Sequence, residues 1–110
     1  TLKLEIESLS PEIRVVRTSS PITNGYIWVE IFHQSVSKGM GVKHICDLLN
    51  INYSETLGIG NDYNDFDLLD FTGDSFLTEN APEEIIGKYK SAPSNEKNAF
   101  AFVTETIHTR

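Results

Sequence analysis

Residues 56–70, TLGIGNDYNDFDLLD, decide how the rest of the chain is read. A short apolar run, Leu57 and Ile59 set among glycines, gives way at once to Asn61, Asp62, Asn64 and Asp65, and then to an apolar-spaced stretch carrying Asp67 and Asp70. The pattern is a strand, a polar turn whose tightness Gly58 and Gly60 permit, and the start of a helix. In an open α/β sheet, ligands collect beyond the carboxyl ends of the strands, so this turn lies where a site is expected. Carboxylates crowded this closely repel one another, which raises a pKa or demands a positive charge. Oxygen donors with no histidine or thiol among them suit Mg²⁺, which takes carboxylates, water and substrate phosphate. A solvated helix start stands open as the other reading, since Asp and Asn cap helices and meet the positive end of the dipole. It explains one or two of the acids, but strains to explain Asp62, Asn64, Asp65, Asp67, Asp70 and Asp74 together. The stretch is neither a calcium loop, because neither Asp62 nor Asp65 begins D-x-[DN]-x-[DN]-G, nor a dinucleotide loop, because Tyr63 stands where the third glycine belongs.

Working outward, the downstream chain alternates. DSFLTEN reads as a strand, PEEIIGKY as a helix with Pro82 in its first turn, and NEKNAFAFVTETI as a terminal helix with Phe100, Val103 and Ile107 on one side. Strands alternating with helices predict a parallel sheet with helices packed on it. Upstream, IRVVRTSS (13–20) and GYIWVEIF (25–32) read as two strands joined by the turn-forming SPITNG. SVSKGMGVKHICDLLN then predicts a helix capped by Ser35 or Ser37, with Val42, Ile45, Cys46 and Leu49 on one stripe and an end at Asn50. It places Lys38 at a helix start, about twenty residues ahead of the acidic turn. A boundary is expected near residues 33–37, where the hairpin pattern yields to alternating α and β. The chain opens on Thr1 without a methionine, and Leu2, Ile6 and Leu9 are spaced like a helix already under way, with Pro11 closing that segment. The expectation is a piece of something longer.

The 110 residues are 39% hydrophobic and 23% charged, an ordinary composition for one compact core. A formal charge of −7 and a pI near 4.8 argue against nucleic acid and anionic membranes as partners, because no basic stripe is present to displace counterions. The single Cys46 excludes an intrachain disulfide and is consistent with a reducing compartment, so the expected location is the cytoplasm. No run of residues reaches the length of a membrane-spanning helix. Cys46 reads as a core position, His33 and His44 as ordinary polar residues, and Trp28 and Tyr63 as packing or substrate contacts.

Taken in order, VSKGMGVKHICDLLNI, LGIGNDYNDFDLLDFTGDSFLTENAPEEI and SAPSNEKNAFAFV resemble the carboxyl-terminal part of the haloacid dehalogenase-like (HAD) phosphatases. The likeness is to the Cof-like branch, whose cap is inserted just before the lysine, and it covers roughly residues 25–107. It implies an α/β fold: a partial Rossmann-like core over residues 35–110, preceded by the last strands of an α+β cap in residues 1–34. It also implies that Lys38 is the lysine that neutralises the nucleophilic aspartate and the transferring phosphoryl group. Asn64 and Asp65 match the N-D pair of the family's G-D-x-x-N-D motif, which binds Mg²⁺ and orients that lysine. Asn80 matches a polar position after the next strand, in the phosphate site. Ser19 and Ser20 fall in the last portion of the cap, which helps to choose the substrate.

Two departures stand out. Asn61 occupies the place of the first metal-binding aspartate, so that either its amide oxygen or the carboxylate of Asp62 serves there. The nucleophile motif D-x-D-x-T/V is missing from these residues. The resemblance therefore implies part of a Mg²⁺-dependent phosphohydrolase acting on a small phosphorylated metabolite, such as a sugar phosphate, through an aspartyl-phosphate. Alone, the chain is expected to be inactive, its partner being the remaining amino-terminal part or a second copy. The competing expectations are a standalone, non-catalytic module that binds metal or phosphate, and a remnant with no ligand.

Overall fold

The computed structural model describes residues 1–108. Two sheets organise them. Strands β1 (Ile13–Ser19) and β2 (Ile27–His33) pair antiparallel from Ile13 opposite His33 to Ser19 opposite Ile27, behind a one-and-a-half-turn helix α1 (Leu2–Glu7). After a short connection, α2 (Lys38–Leu49) leads to a parallel sheet of β3 (Leu57–Gly60), β4 (Asp74–Thr78) and β5 (Lys90–Ala92), in that order across the sheet. Helix α3 (Phe66–Phe71) connects β3 to β4, and α4 (Ala99–His108) closes the described chain. The mixed α/β class with a parallel sheet and flanking helices is as the alternating pattern predicts.

Local chemistry sets the ends of α2. Ser37 caps it, its hydroxyl accepting the Met40 N–H at 3.1 Å, and Asn50 ends it in the left-handed region at φ 55°. The parallel sheet is covered on both faces because β4 alternates. Leu77 packs with Leu69, Ala81 and Ile85 beneath α3, while Phe76 packs with Ala92, Ala99 and Val103 beneath α4. These two small clusters are the core of the parallel sheet, whose ladder sets the carboxyl ends of β3 and β4 side by side, and Val15 and Val16 of β1 are buried outside them.

Several elements depart from expectation. PEEIIGKY forms only a 3₁₀ turn at Glu83–Ile85, with Pro82 at its N-cap, before Gly87 turns the backbone at φ 97° into β5. A strand of three residues carries too little periodicity to be seen in the sequence. On α4 the buried stripe is Ala99 and Val103, and Phe100 is 73% exposed. Of the expected stripe on α2 only Cys46 is buried; Val42 is partly covered, and Ile45 and Leu49 are open. Leu2 and Leu9 are likewise open, and α1 stops at Glu7. In β2 it is Glu30 and Phe32 that are partly covered, while Ile27, Val29 and Ile31 face outward. Apolar spacing marks a face that seeks cover without saying which element supplies it. Among the described residues, no helix is long and apolar enough to cross a membrane.

Candidate active site

The loop after β3 is built around one carboxylate. Asp65 Oδ2 accepts the backbone N–H groups of Asn61 at 2.9 Å and Asp62 at 3.2 Å, while Oδ1 receives Lys38 Nζ at 2.5 Å. Its side chain is 7% exposed and that of Lys38 is 51% exposed, so a nearly buried anion holds a cation whose head still reaches solvent. Gly60 makes this possible: a Cβ there would strike the Asp65 side chain. Asp62 opens the turn as its N-cap, with Oδ1 accepting the Tyr63 N–H at 2.8 Å, and Asp65 closes the reciprocal capping box.

A second carboxylate seats the lysine's helix. Asp67 Oδ2 accepts the Gly39 N–H at 2.8 Å, one of the unpaired donors at the start of α2. A Cβ at position 39 would run into Asp67, which explains the glycine beside Lys38. Two acids at the start of α3, Asp65 at its N-cap and Asp67 in its first turn, thus hold the side chain of residue 38 and the backbone of residue 39. Sequence reasoning placed Asp67 only in the acidic cluster; its partner lies 28 residues away and left no local signal.

Lys38 and the loop after β3 face a cleft of about 660 Å³ at the carboxyl ends of β3 and β4, lined among others by Thr18, Lys38, Asn61, Asn64, Asp65 and Thr78. A smaller cavity of about 220 Å³ adjoins it, shares Lys38 and Asn64, and runs under the hairpin past Arg14, Glu30 and Phe32. The Thr78 hydroxyl is buried without a hydrogen-bond partner among the described residues. Of the residues singled out in the sequence, the fold brings Lys38, Asn61, Asp62, Asn64 and Asp65 around one opening. Asn80 does not line it; its Oδ1 accepts the Asn95 N–H at 3.1 Å and ties the β4 loop to the turn before α4. Thr18, Asn95 and Asn98, all lining residues, were not foreseen.

The donor set meets Mg²⁺ in kind but not in number. Asn61 and Asn64 offer neutral amide oxygens, and Asp65 is already engaged by Lys38 and two amides. Both oxygens of Asp62 are also occupied, Oδ2 by the Ser19 N–H at 2.6 Å and Oδ1 by the Ser19 hydroxyl at 3.1 Å as well as by Tyr63. No group of three or more His, Cys, Asp or Glu side chains among the described residues is arranged to hold a metal ion. A Mg²⁺ site here needs carboxylate from beyond these residues. The neighbouring Tyr63 phenol is held above its ordinary pKa, chiefly by donating a hydrogen bond to Glu84 and secondly by burial.

The chain matches the sequence profile of haloacid dehalogenase-like hydrolases over residues 4–103. It belongs to that family. A Haemophilus influenzae protein named "Putative phosphatase" is 33% identical over 58 residues, covering 53% of this chain and 22% of that protein. The Bacillus subtilis protein named "Putative phosphatase YxeH" is 25% identical over 104 residues, covering 93% of this chain and 38% of its own length. The chain therefore spans between 22% and 38% of these curated relatives. Among solved structures, a haloacid dehalogenase-like hydrolase from B. subtilis superposes with a TM-score of 0.76 at 22% identity, covering 92% of this chain and 34% of that one. SMU.1108c of Streptococcus mutans gives 0.81 at 17% identity, covering 99% and 40%. The fold of this haloacid dehalogenase-like chain is thus that of part of those two structures.

Proposed function

We propose that the chain is the carboxyl-terminal part of a Mg²⁺-dependent phosphohydrolase that acts on a small phosphorylated metabolite, such as a sugar phosphate. The observation that carries this reading is the 2.5 Å pairing of Lys38 with Asp65 at the mouth of a cleft formed by two parallel strand ends. A fixed ammonium there serves phosphoryl transfer by offsetting the charge on the phosphoryl oxygens and on an attacking carboxylate. Asp65 keeps Lys38 aimed, and the free carboxamide of Asn64 offers a donor to the phosphoryl group. The nucleophile in this reading is an aspartate outside the 110 residues, since D-x-D-x-T/V does not occur within them. Its carboxylate oxygen bonds to phosphorus as the P–O bond to the alcohol breaks and the alcohol oxygen takes a proton from solvent; water then adds to phosphorus, the P–O bond to the aspartate breaks, and phosphate leaves as the water gives up its proton to solvent. Mg²⁺, held by Asn61 together with carboxylates of that outer segment, would polarise the phosphoryl group. The single, buried Cys46 supports a reducing cytoplasm as its compartment.

The test compares two proteins with p-nitrophenyl phosphate and Mg²⁺. The complete protein is expected to turn over, and the isolated 110-residue chain is expected not to. Turnover by the isolated chain would place the nucleophile within it and overturn this assignment. Binding of Mg²⁺ or phosphate by a complete protein that never hydrolyses the ester would favour the binding-module alternative.

A further inference from the structure

The hairpin is fastened to the loop after β3 by contacts beyond those that shape the loop itself. Ser19, the last residue of β1, donates its backbone N–H to Asp62 Oδ2 at 2.6 Å and its hydroxyl to Oδ1 at 3.1 Å. Two residues earlier, on the same side of the strand, the Arg17 guanidinium lies 4.4 Å from the Tyr63 ring centroid and 4.0 Å from Glu84, which also accepts the Tyr63 hydroxyl. Consecutive loop residues 62 and 63 are thus gripped by alternate residues of β1. Asp62 needs only Oδ1 to cap its own turn; Oδ2 is directed wholly at the hairpin. At 8% exposure, this carboxylate is sheltered from competing water. Thr18, on the opposite side of β1, lines the cleft beside Lys38 and Asn61, and its hydroxyl donates to Glu30 at 2.9 Å.

At its other end the hairpin runs through residues 34–37 directly into Lys38, with Arg14 Nη2 donating to the Val36 carbonyl at 2.8 Å. The hairpin is therefore continuous with the lysine's helix at its base, while near its tip the end of β1 is held to the β3 loop through the side chains of Asp62 and Tyr63. We infer that Asp62 and Ser19 form a latch that holds the hairpin tip down over the cleft, making Asp62 a positioning residue and not a metal ligand. Its effect on substrate rests on the phosphohydrolase reading; the latch itself does not.

The latch is tested in the complete protein by amide hydrogen exchange, comparing wild type with Asp62→Ala, Asp62→Asn and Ser19→Ala. Asp62→Ala is expected to speed exchange of the Ser19 amide and of residues 20–26 at least tenfold, while β3, β4 and β5 keep wild-type protection. Ser19→Ala, which removes only the hydroxyl donor, and Asp62→Asn, which keeps one acceptor, should each give a smaller increase. With p-nitrophenyl phosphate, Asp62→Ala should raise KM severalfold, lower kcat less, and leave the Mg²⁺ concentration for half-maximal rate unchanged. Unchanged exchange at residues 19–26 in Asp62→Ala, or a rise spread equally over the parallel sheet, would overturn the latch. A severalfold increase in the Mg²⁺ requirement would overturn it in favour of metal ligation. If wild type shows no turnover, the phosphohydrolase reading fails and the exchange pattern alone decides the latch.

Discussion

Asn61 and Asp62 are neighbours in sequence with unlike situations. The carboxylate of Asp62 is fully hydrogen bonded at 8% exposure, whereas Asn61 lines the cleft through an exposed side chain. A neutral amide in a site for a hard dication contributes less attraction than a carboxylate at the same place. Asn61→Asp is therefore expected to lower the Mg²⁺ concentration that half-saturates the complete protein by about tenfold, an effect of roughly 1.4 kcal/mol. Calorimetric titration of Mg²⁺ would measure it, and an unchanged or weaker affinity would remove residue 61 from the metal site. Asn64 and Asp65 could be picked out in the sequence only through the resemblance to the family's G-D-x-x-N-D motif, because spacing by itself left a helix cap equally open. The partners of Asp62 and Asp67 could not, since they lie 43 and 28 residues away in segments with no motif of their own.

Among the elements, those with a full period were legible and those without were not. The hairpin, α2, β3 and α3 follow from alternation, capping and glycine placement, and the structure sets them within a residue or two of expectation. The region 82–92 was misjudged because two glutamates and two isoleucines after a proline imitate a helix start. In the fold, the chain takes one 3₁₀ turn there and pairs Lys90–Ala92 with Phe76–Thr78. This segment is anchored by Tyr89, which packs against the core cluster and donates to Asp70 Oδ1 at 2.5 Å. Burial first, and the bond to Asp70 second, push its phenol up to about 12. A raised folded-state pKa means that the contribution is fully present below the ordinary phenol value near 10 and is lost as pH rises through about 12. Tyr89→Phe should accordingly cost about 1 kcal/mol at pH 8, the worth of one hydrogen bond. The gap between variant and parent should close in urea unfolding above pH 12, and a gap independent of pH would remove the phenol proton from the account.

Across the whole molecule, apolar surface stands open on two helices and at one sheet edge. Leu48 on α2 is 70% exposed and Phe100 on α4 is 73% exposed, and among the described residues β3 pairs on one edge only. Apolar helix faces and an unpaired parallel edge are covered in stable α/β sheets. Composition could not have announced this, because an ordinary hydrophobic fraction says nothing of how much surface finds a partner. In the proposed account these faces meet the segment that carries the nucleophile, while this chain brings the ammonium, the carboxylate that aims it and the loop beneath the hairpin. The most direct test is the rate of p-nitrophenyl phosphate hydrolysis by the complete protein carrying Lys38→Met or Asp65→Asn, with folding checked by circular dichroism. Each variant is expected to keep its fold and to lose at least about 10²-fold in kcat, on the scale of removing a preorganised charge from a transition state. Near-wild-type turnover in both folded variants would contradict the claim that the Lys38–Asp65 pair serves phosphoryl transfer.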